Sequence, residues 1–437
     1  MQGKYLSEVV NIDDFKQGKI NLIYAPCGSG KTTFAKTKLL KYFLYGEDYK
    51  KYGNNVDIES DMYWHSDFDV VVDYHKEKIL YLIDTAIGKE QLIHSKGAKQ
   101  TYNTWIDDMQ WILPGFHVMT YTAFGYLCAN YPEHNKWKTN AMIVCDELHN
   151  AVKWSKYSKK IIDENGIEHE EINFNAVAIS EILYGVRMGV NEVIALSATP
   201  KVLFNEMGGY IHQVELFDEP RHFEENEVIE YNDLGNLLRK IPPDKRGIVY
   251  VTHVEKIIEY QKLLIERGIK SAAIWSKNNL QHPLTDEQLK VRDYIIINRE
   301  MPPDIKVLFI NKSCETSVTI GDEDKTKYPI DYMIIHSTDE DTLIQVRGRY
   351  RNDLDILYCC EPDEYDIIDL PDSWIGHKLK KADKDALCSY LGLKNKANGR
   401  LLKWTSIKKA LKYNHYIIYD FKDGSERCSI IYSPNSA

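Results

Sequence analysis

Apolar and polar positions along the chain resolve into short apolar runs separated by longer amphipathic stretches. Residues 20–24 (Ile-Asn-Leu-Ile-Tyr) form a run that suits a strand buried on both faces. Residues 78–84, 115–121, 141–145 and 192–196 repeat it. Helical patterns lie between the runs, among them 32–43, 90–97 and 176–188, and Glu-Asn-Gly within 161–172 is a hairpin signal. Residues 46–78 are polar and aromatic and read as a surface excursion. Each run ends on polar residues: Thr85, Thr120 with Tyr121, Asp146 with Glu147, and Ser197-Ala198-Thr199. Strands alternating with helices predict a doubly wound α/β domain, which binds ligands at the carboxyl ends of its strands.

From 203 to 223 the pattern turns irregular and polar, as a hinge would. A second alternation follows, with strands predicted at 246–252, 271–275, 306–311 and 331–336 and helices at 254–267, 286–298 and 341–350. After residue 370 the composition changes. Residues 376–429 hold thirteen Lys and Arg against five Asp and Glu, a local excess of positive charge in a chain whose net charge is −10. Helices at 383–391 and 405–413, then strands at 415–420 and 427–432 around Asp423-Gly424, resemble a small winged-helix module; a solvated lysine-rich face is the alternative. The organisation predicted is an α/β domain over 1–203, a hinge over 204–223, a second α/β domain over 224–370 and a basic α+β module over 371–437.

At 437 residues the chain has room for two or three domains with real cores. No apolar run approaches the roughly 18 residues of a membrane span, and residues 1–5 lack the apolar core of a signal peptide. The expectation is a soluble cytoplasmic protein with no membrane partner. Its eight cysteines form no Cys-x-x-Cys pairs at zinc spacing, and its fourteen histidines show no ligand spacing, so no metal held by protein groups alone is expected. Cys27 differs from the other thiols because it stands in the loop described next.

Residues 25–33 read Ala-Pro-Cys-Gly-Ser-Gly-Lys-Thr-Thr, between a predicted strand and a predicted helix. Strand, glycine loop and helix make a phosphate cradle: glycines let the backbone approach the ligand, and the helix N-terminus adds positive potential. Pro26, Cys27, Gly28, Ser29, Gly30, Lys31, Thr32 and Thr33 are therefore the candidate nucleotide-binding residues, with Lys31 reaching phosphate and Thr32 a Mg²⁺. The usual first Gly of this motif is Ala25. At the end of a later strand, Asp146 and Glu147 offer one carboxylate for Mg²⁺ and one to orient or deprotonate a water.

Ala-Pro-Cys-Gly-Ser-Gly-Lys-Thr, Asp-Glu-Leu-His, Ser-Ala-Thr and Gln345-Val-Arg-Gly-Arg349-Tyr-Arg351 occur in the order of the helicase motifs of the DEAD/DEAH-like superfamily 2, which the chain resembles over residues 20–351. In style and size it also looks like helicase-family ATPases of phages and bacterial mobile elements. The resemblance implies two RecA-like domains with ATP and Mg²⁺ between them. Lys31 and Thr32 would bind phosphate and Mg²⁺, Asp146 would hold Mg²⁺, and Glu147 would be the catalytic base. Gln345 would position the water or γ-phosphate, and Arg349 would be an arginine finger. His149, Ser197 and Thr199 would couple hydrolysis to domain movement. Position 352 is Asn where the family has its second arginine, so Arg351 and Arg347 both stand as candidates for that role. No adenine-recognition glutamine precedes residue 20.

The resemblance also implies a single strand held through phosphates across both domains, with Thr85, Thr120, Tyr121, Thr252, Thr316 and Ser317 as candidate contacts and turn capping as their bland alternative. The function implied is an ATP-dependent helicase or translocase with single-stranded DNA as the favoured partner over RNA. A partner protein in a replication or defence complex is a further expectation. The alternatives are a nucleic-acid-dependent remodelling ATPase and an ATP-gated binding protein that does not separate strands.

Overall fold

The structure is a computed structural model that describes residues 3–40, 42, 78–94, 110–113, 116–131, 141–157, 159–162, 168–277, 279–315, 318–321, 327–361, 368–394, 399–423 and 426–433. Most of the surface excursion read at 46–78, and the candidates Thr316 and Ser317, lie outside these residues. The chain divides into two compact units, Met1–Cys360 and Glu361–Ala437.

The first unit holds two sheets. Strands β1 (Ile20–Tyr24), β2 (Lys78–Ile83), β3 (Gln110–Leu113), β4 (Phe116–Thr120) and β5 (Ala141–Asp146) precede a separate antiparallel pair, β6 (Lys159–Ile162) and β7 (Glu168–Glu171). β8 (Glu192–Ser197) and β9 (Ile211–Gln213) complete the first sheet, in the order β3-β4-β2-β5-β8-β1-β9. Its pairings are parallel except β3 with β4. Successive side chains of a strand point to opposite faces, and here both faces are buried. Ile79, Tyr81 and Ile83 enter one apolar cluster, while Leu80 and Leu82 enter another. Helices cover both sides, which is why the strands read as unbroken apolar runs.

The second sheet takes β10 (Glu225–Tyr231), β11 (Gly247–Val251), β12 (Ser271–Ile274), β13 (Val307–Ile310), β14 (Tyr332–His336) and β15 (Leu354–Cys360) in the order β10-β15-β14-β11-β13-β12. All its pairings are parallel. Ile248 and Tyr250 point to one cluster, Val249 and Val251 to the other. The architecture is two RecA-like doubly wound domains. Four strands of this unit lie where the pattern predicted none: β3 beside β4, β9 within the stretch read as a hinge, and β10 and β15 in the second sheet.

The two sheets are joined by named contacts. Ile87 and Gln91, on the helix Ala86–His94 that follows β2, reach into the second domain. Ile87 packs in the cluster of Ile295 and Ile310. The Gln91 amide takes the Thr319 N–H at 2.7 Å and donates to the Thr319 carbonyl at 2.9 Å. Glu90 pairs with Arg292 and with Lys277, and Lys153 with Asp341 at 2.8 Å.

The second unit carries β16 (Lys378–Leu379), helices Lys381–Leu391 and Trp404–Tyr413, and the hairpin β17 (Ile417–Asp423) with β18 (Glu426–Tyr432). The sheet order β16-β18-β17 is antiparallel throughout. Leu379, Leu387, Ile407, Leu411 and Ile431 form its own core. A strand, two helices and a hairpin that returns to that strand is the topology of a winged helix. Among the described residues of the whole chain, no helix is long and apolar enough to cross a membrane.

Candidate nucleotide site

β1 delivers the chain to the loop 25–30, where Gly28 and Gly30 adopt φ of +92° and +87°. Such angles favour glycine, which has no Cβ to strain. The loop is tied down at Ser29, whose hydroxyl donates to the Pro26 carbonyl at 2.9 Å and whose own carbonyl accepts the Leu6 N–H at 2.8 Å. The helix Lys31–Phe34 then begins and runs into a π turn over Ala35–Leu39. Lys31 is buried, Thr32 is half-buried and Thr33 is exposed.

The Lys31 ammonium is hydrogen-bonded to Glu147 Oε1 and lies 3.8 Å from Asp146 Oδ1. β5 ends at Asp146, and Glu147 turns the chain with a left-handed φ of +48° into the helix Leu148–Ser155. That turn brings two adjacent carboxylates to one lysine. Burial raises the Asp146 carboxyl to about 6 despite the pull of Lys31. Glu147 is buried as well, but Lys31 and His149 outweigh that cost and hold it below the usual carboxylate range. Asp146 Oδ1 is buried without a hydrogen-bond partner.

His149 sits one helical step on. Burial holds it down at about 4, so it is neutral at pH 7. Its Nδ1 is 3.0 Å from Ser197 Oγ and its Nε2 is 3.1 Å from Thr199 Oγ1. β8 places these two hydroxyls, because it pairs with β5 and ends at the same level. Thr199 and Glu147 then meet the second sheet. Gln345 Nε2 donates to Glu147 Oε2 at 3.2 Å and to Thr199 Oγ1 at 3.4 Å.

Gln345 lies on the helix Glu340–Arg347, and the loop after it turns Arg349 toward the phosphate loop. Arg349 Nη2 donates to Cys27 Sγ at 3.0 Å, and Cys27 donates in turn to Gln345 Oε1 at 3.5 Å. The two further arginines have different surroundings. Arg347 is taken up by Glu225 and by the carbonyls of Tyr350, Glu224 and Asn352. Arg351 leaves its buried Nε without a partner. Burial and then the neighbouring Arg349 lower Arg351 to about 10.

Lys31, Asp146, Glu147, His149, Ser197, Thr199, Cys27, Gln345 and Arg349 are thus one contiguous group. The candidates for nucleic-acid contact are not part of it. Thr85 and Thr120 each cap a helix start, accepting from Gly88 N at 3.3 Å and Ala123 N at 3.2 Å. Thr252 is exposed just past β11. Tyr121 does not suit the surface role expected of it: its side chain is 0% exposed and its hydroxyl donates to the Asp146 carbonyl at 2.9 Å, so it supports the carboxylate turn from inside the core.

One cluster escaped sequence reading. The Arg221 guanidinium stands 4.6 Å from the Tyr5 ring centroid and 5.6 Å from that of Phe223, and it donates to the Tyr5 hydroxyl. The two rings cover the phosphate loop. A Cβ added at Gly30 would come within 3.1 Å of Tyr5, and one at Gly28 within 2.1 Å of Phe223. Two aromatic rings and a cation beside a phosphate cradle are groups on which a planar base can stack. No local motif signals them, since 216 residues separate Tyr5 from Arg221.

No protein-family model and no curated protein matches the chain. Among solved structures it is similar to S. cerevisiae Dbp5 bound to RNA and ADP BeF3, at 12% identity over 91% of this chain and 89% of that one, with a TM-score of 0.47. It is also similar to the DUF1998 helicase MrfA bound to DNA, at 13% identity over 96% of this chain, with a TM-score of 0.46. The chain spans 55% of that second protein. Neither likeness bears on a phage or mobile-element origin.

Proposed function

We propose that this protein is a Mg²⁺-dependent ATP hydrolase of the superfamily 2 helicase type, moving on nucleic acid, with single-stranded DNA favoured over RNA. The observation that carries the reading is the meeting of Lys31, Glu147, Gln345 and Arg349, contributed by two doubly wound sheets, at one phosphate loop. Nothing in a purely structural interface requires a lysine, two carboxylates and an arginine to be buried together at the carboxyl ends of two strands. Burying charges is costly unless each has a use or a partner.

Lys31 would exchange its bond to Glu147 for the nucleotide's phosphates. That exchange would free Glu147 to take the proton of the attacking water, with the Gln345 amide holding the water between them. Arg349 would offset the charge that develops on the transferred phosphoryl group, an effect worth about 10³-fold or more in related chemistry. Arg351 suits the second arginine role better than Arg347, because Arg347 is fully committed within its own domain. Mg²⁺, when bound, would neutralise phosphate charge, and the donor set fits it: a threonine at the head of the helix and the Oδ1 of Asp146, which accepts no hydrogen bond. Tyr5, Arg221 and Phe223 would hold the base. Through His149, Ser197 and Thr199, the same carboxylate that meets the water touches the other domain, which supports coupling of hydrolysis to domain movement.

A remodelling ATPase that does not separate strands would use the same site, and an ATP-gated clamp would bind without turnover. The deciding experiment measures ATP hydrolysis by the wild type and by Glu147→Gln, alone and with single-stranded DNA, duplex DNA or RNA. Stimulation by one polymer, lost in the variant, supports the motor and identifies its track. Turnover indifferent to every polymer would overturn the nucleic-acid part, and no turnover would overturn the hydrolase.

A further inference from the structure

We infer that Tyr81 is a positioning residue of the metal site: from inside the core, its hydroxyl holds the Asp146 carboxylate and the Thr32 hydroxyl that would bind Mg²⁺.

Tyr81 lies in the middle of β2 and is 0% exposed. Its ring packs against Phe116 at a centroid distance of 5.6 Å, which fixes where the hydroxyl points. The cluster around it is apolar and includes Ile79, Ile83, Phe34 and Val144. A phenylalanine would fill the same space, and a hydroxyl buried in such surroundings is costly unless a polar group meets it. Yet the Tyr81 hydroxyl closes no hydrogen bond of normal geometry. A buried polar atom of this kind calls for an explanation.

The topology supplies one. β2 pairs in parallel with β5, and Tyr81 stands opposite Val144. Side chains two apart on a strand share a face. Met142 and Val144 share the cluster of Tyr81, so Asp146 leaves β5 on that same face, about 6.6 Å further along. The helix after the phosphate loop covers this face through Phe34, Ala35 and Leu39, and Thr32 lies one turn before Ala35. The hydroxyl therefore faces Asp146 and Thr32. Burial, and then the Asp146 carboxylate, push the Tyr81 phenol well above its ordinary range. Asp146 has capacity to spare, since its buried Oδ1 accepts no hydrogen bond.

A tyrosine hydroxyl can donate one hydrogen bond and accept another, so this single group can tie the carboxylate to the threonine. Groups behind metal ligands set the ligands' orientation, and Mg²⁺ demands near-ideal octahedral geometry. The inference rests on the proposed nucleotide site and adds the residue behind its metal ligands. No motif signals Tyr81, which reads as one more apolar position of a buried strand.

The test measures how Mg²⁺ concentration controls the affinity of the full chain for fluorescent methylanthraniloyl-ADP, with thermal melts alongside. The proteins are the wild type, Tyr81→Phe and Tyr332→Phe. Tyr332 is the control: its hydroxyl is also buried without a hydrogen bond, but it lies in the second sheet, opposite Gly247 at the start of β11. Loss of a group behind a metal ligand weakens metal affinity by about 10- to 100-fold. The half-saturating Mg²⁺ concentration is expected to rise by that factor in Tyr81→Phe and to stay at the wild-type value in Tyr332→Phe. Nucleotide affinity in EDTA and the melting temperature of Tyr81→Phe should be no lower than wild type, because the ring is kept. The EDTA measurement separates lost control by the metal from general damage to the site. A purely structural tyrosine gives the opposite pattern, a lower melting temperature with an unchanged Mg²⁺ requirement. That pattern would overturn the inference, as would an unchanged requirement alone or an equal rise in both variants. Wild-type protein that binds the nucleotide equally with and without Mg²⁺, or not at all, would overturn the metal site itself. That outcome is distinct from a wild-type Mg²⁺ dependence that Tyr81→Phe leaves intact.

Discussion

Arg349 donates to the thiol of Cys27 at 3.0 Å, joining the loop after the helix Glu340–Arg347 to the phosphate loop of the other domain. The contact is close because Gly348 lies against the same cysteine: a Cβ built on Gly348 would fall 1.9 Å from Cys27 Cβ and 2.6 Å from its sulfur. Gly348 has an ordinary right-handed φ of −66°, so its glycine is required by proximity and not by backbone conformation.

Gly348→Ala should therefore separate the arginine loop from the phosphate loop while leaving each domain's own packing intact. Misplacing a reacting group by about 1 Å can cost on the order of 10²-fold in rate. We expect ATP turnover to fall by that order with little change in melting temperature. Cys27→Gly, which removes both atoms that clash, should restore most of the rate in the double variant. A double variant as slow as Gly348→Ala alone would show that the contact is not what limits turnover.

Cys27 should also report occupancy of the site. It is 7% exposed, enclosed by Arg349, Gln345 and Gly348, and it stands in the loop that would hold the phosphates. Treatment with N-ethylmaleimide is expected to abolish ATP turnover, ATP to slow the loss, and Cys27→Ser to be insensitive. Mass spectrometry of the Cys27 peptide checks this, and labelling at the same rate with and without ATP would refute it.

What the sequence could and could not convey follows from where each signal resides. The phosphate loop, the Asp-Glu turn and the Ser-Ala-Thr strand end are local, and each is a short polar stretch after an apolar run. β10 (Glu225–Tyr231) was hidden because it is an edge strand whose pairing partner lies on one side only, so Glu227 and Glu230 sit in it without cost. β9 is three residues long, too short for periodicity to register. β15, which the pattern did not predict, was within its reach, since only Asp355 interrupts its apolar run. The choice between Arg347 and Arg351 was not readable, because it depends on Glu225 and on carbonyls that only the fold brings to Arg347. The same holds for Tyr5 and Phe223, which meet over the loop from positions 218 residues apart in the chain.

Phe223→Ala should weaken recognition of the base more than that of the phosphates. Stacking of a base on an aromatic side chain contributes about 1–3 kcal/mol, which corresponds to roughly 5- to 150-fold in affinity. The KM for ATP is expected to rise within that range with kcat little changed. Inhibition by inorganic tripolyphosphate, which has no base, should be unaffected. An unchanged KM, or an equal loss for tripolyphosphate, would remove Phe223 from the base site.

Glu192 begins β8 opposite Met142, and burial alone raises its carboxyl to about 7. The folded protein therefore keeps a proton there between about pH 4.5 and 7 that the unfolded chain releases, so this group's contribution to stability falls as pH rises through that window. Above pH 7 both states are ionised and the full cost of burying the charge remains. Glu192→Gln removes the titration, so the gain it brings should be small below pH 5 and largest at pH 8. Displacing a titration by one pH unit corresponds to about 1.4 kcal/mol, and partial exposure to solvent reduces the effect, so that gain is on the order of 1–3 kcal/mol. Thermal melts of both proteins at pH 5 and pH 8 check it. A variant that gains as much at pH 5 as at pH 8 would show that side-chain packing, not the buried charge, is what the substitution changes.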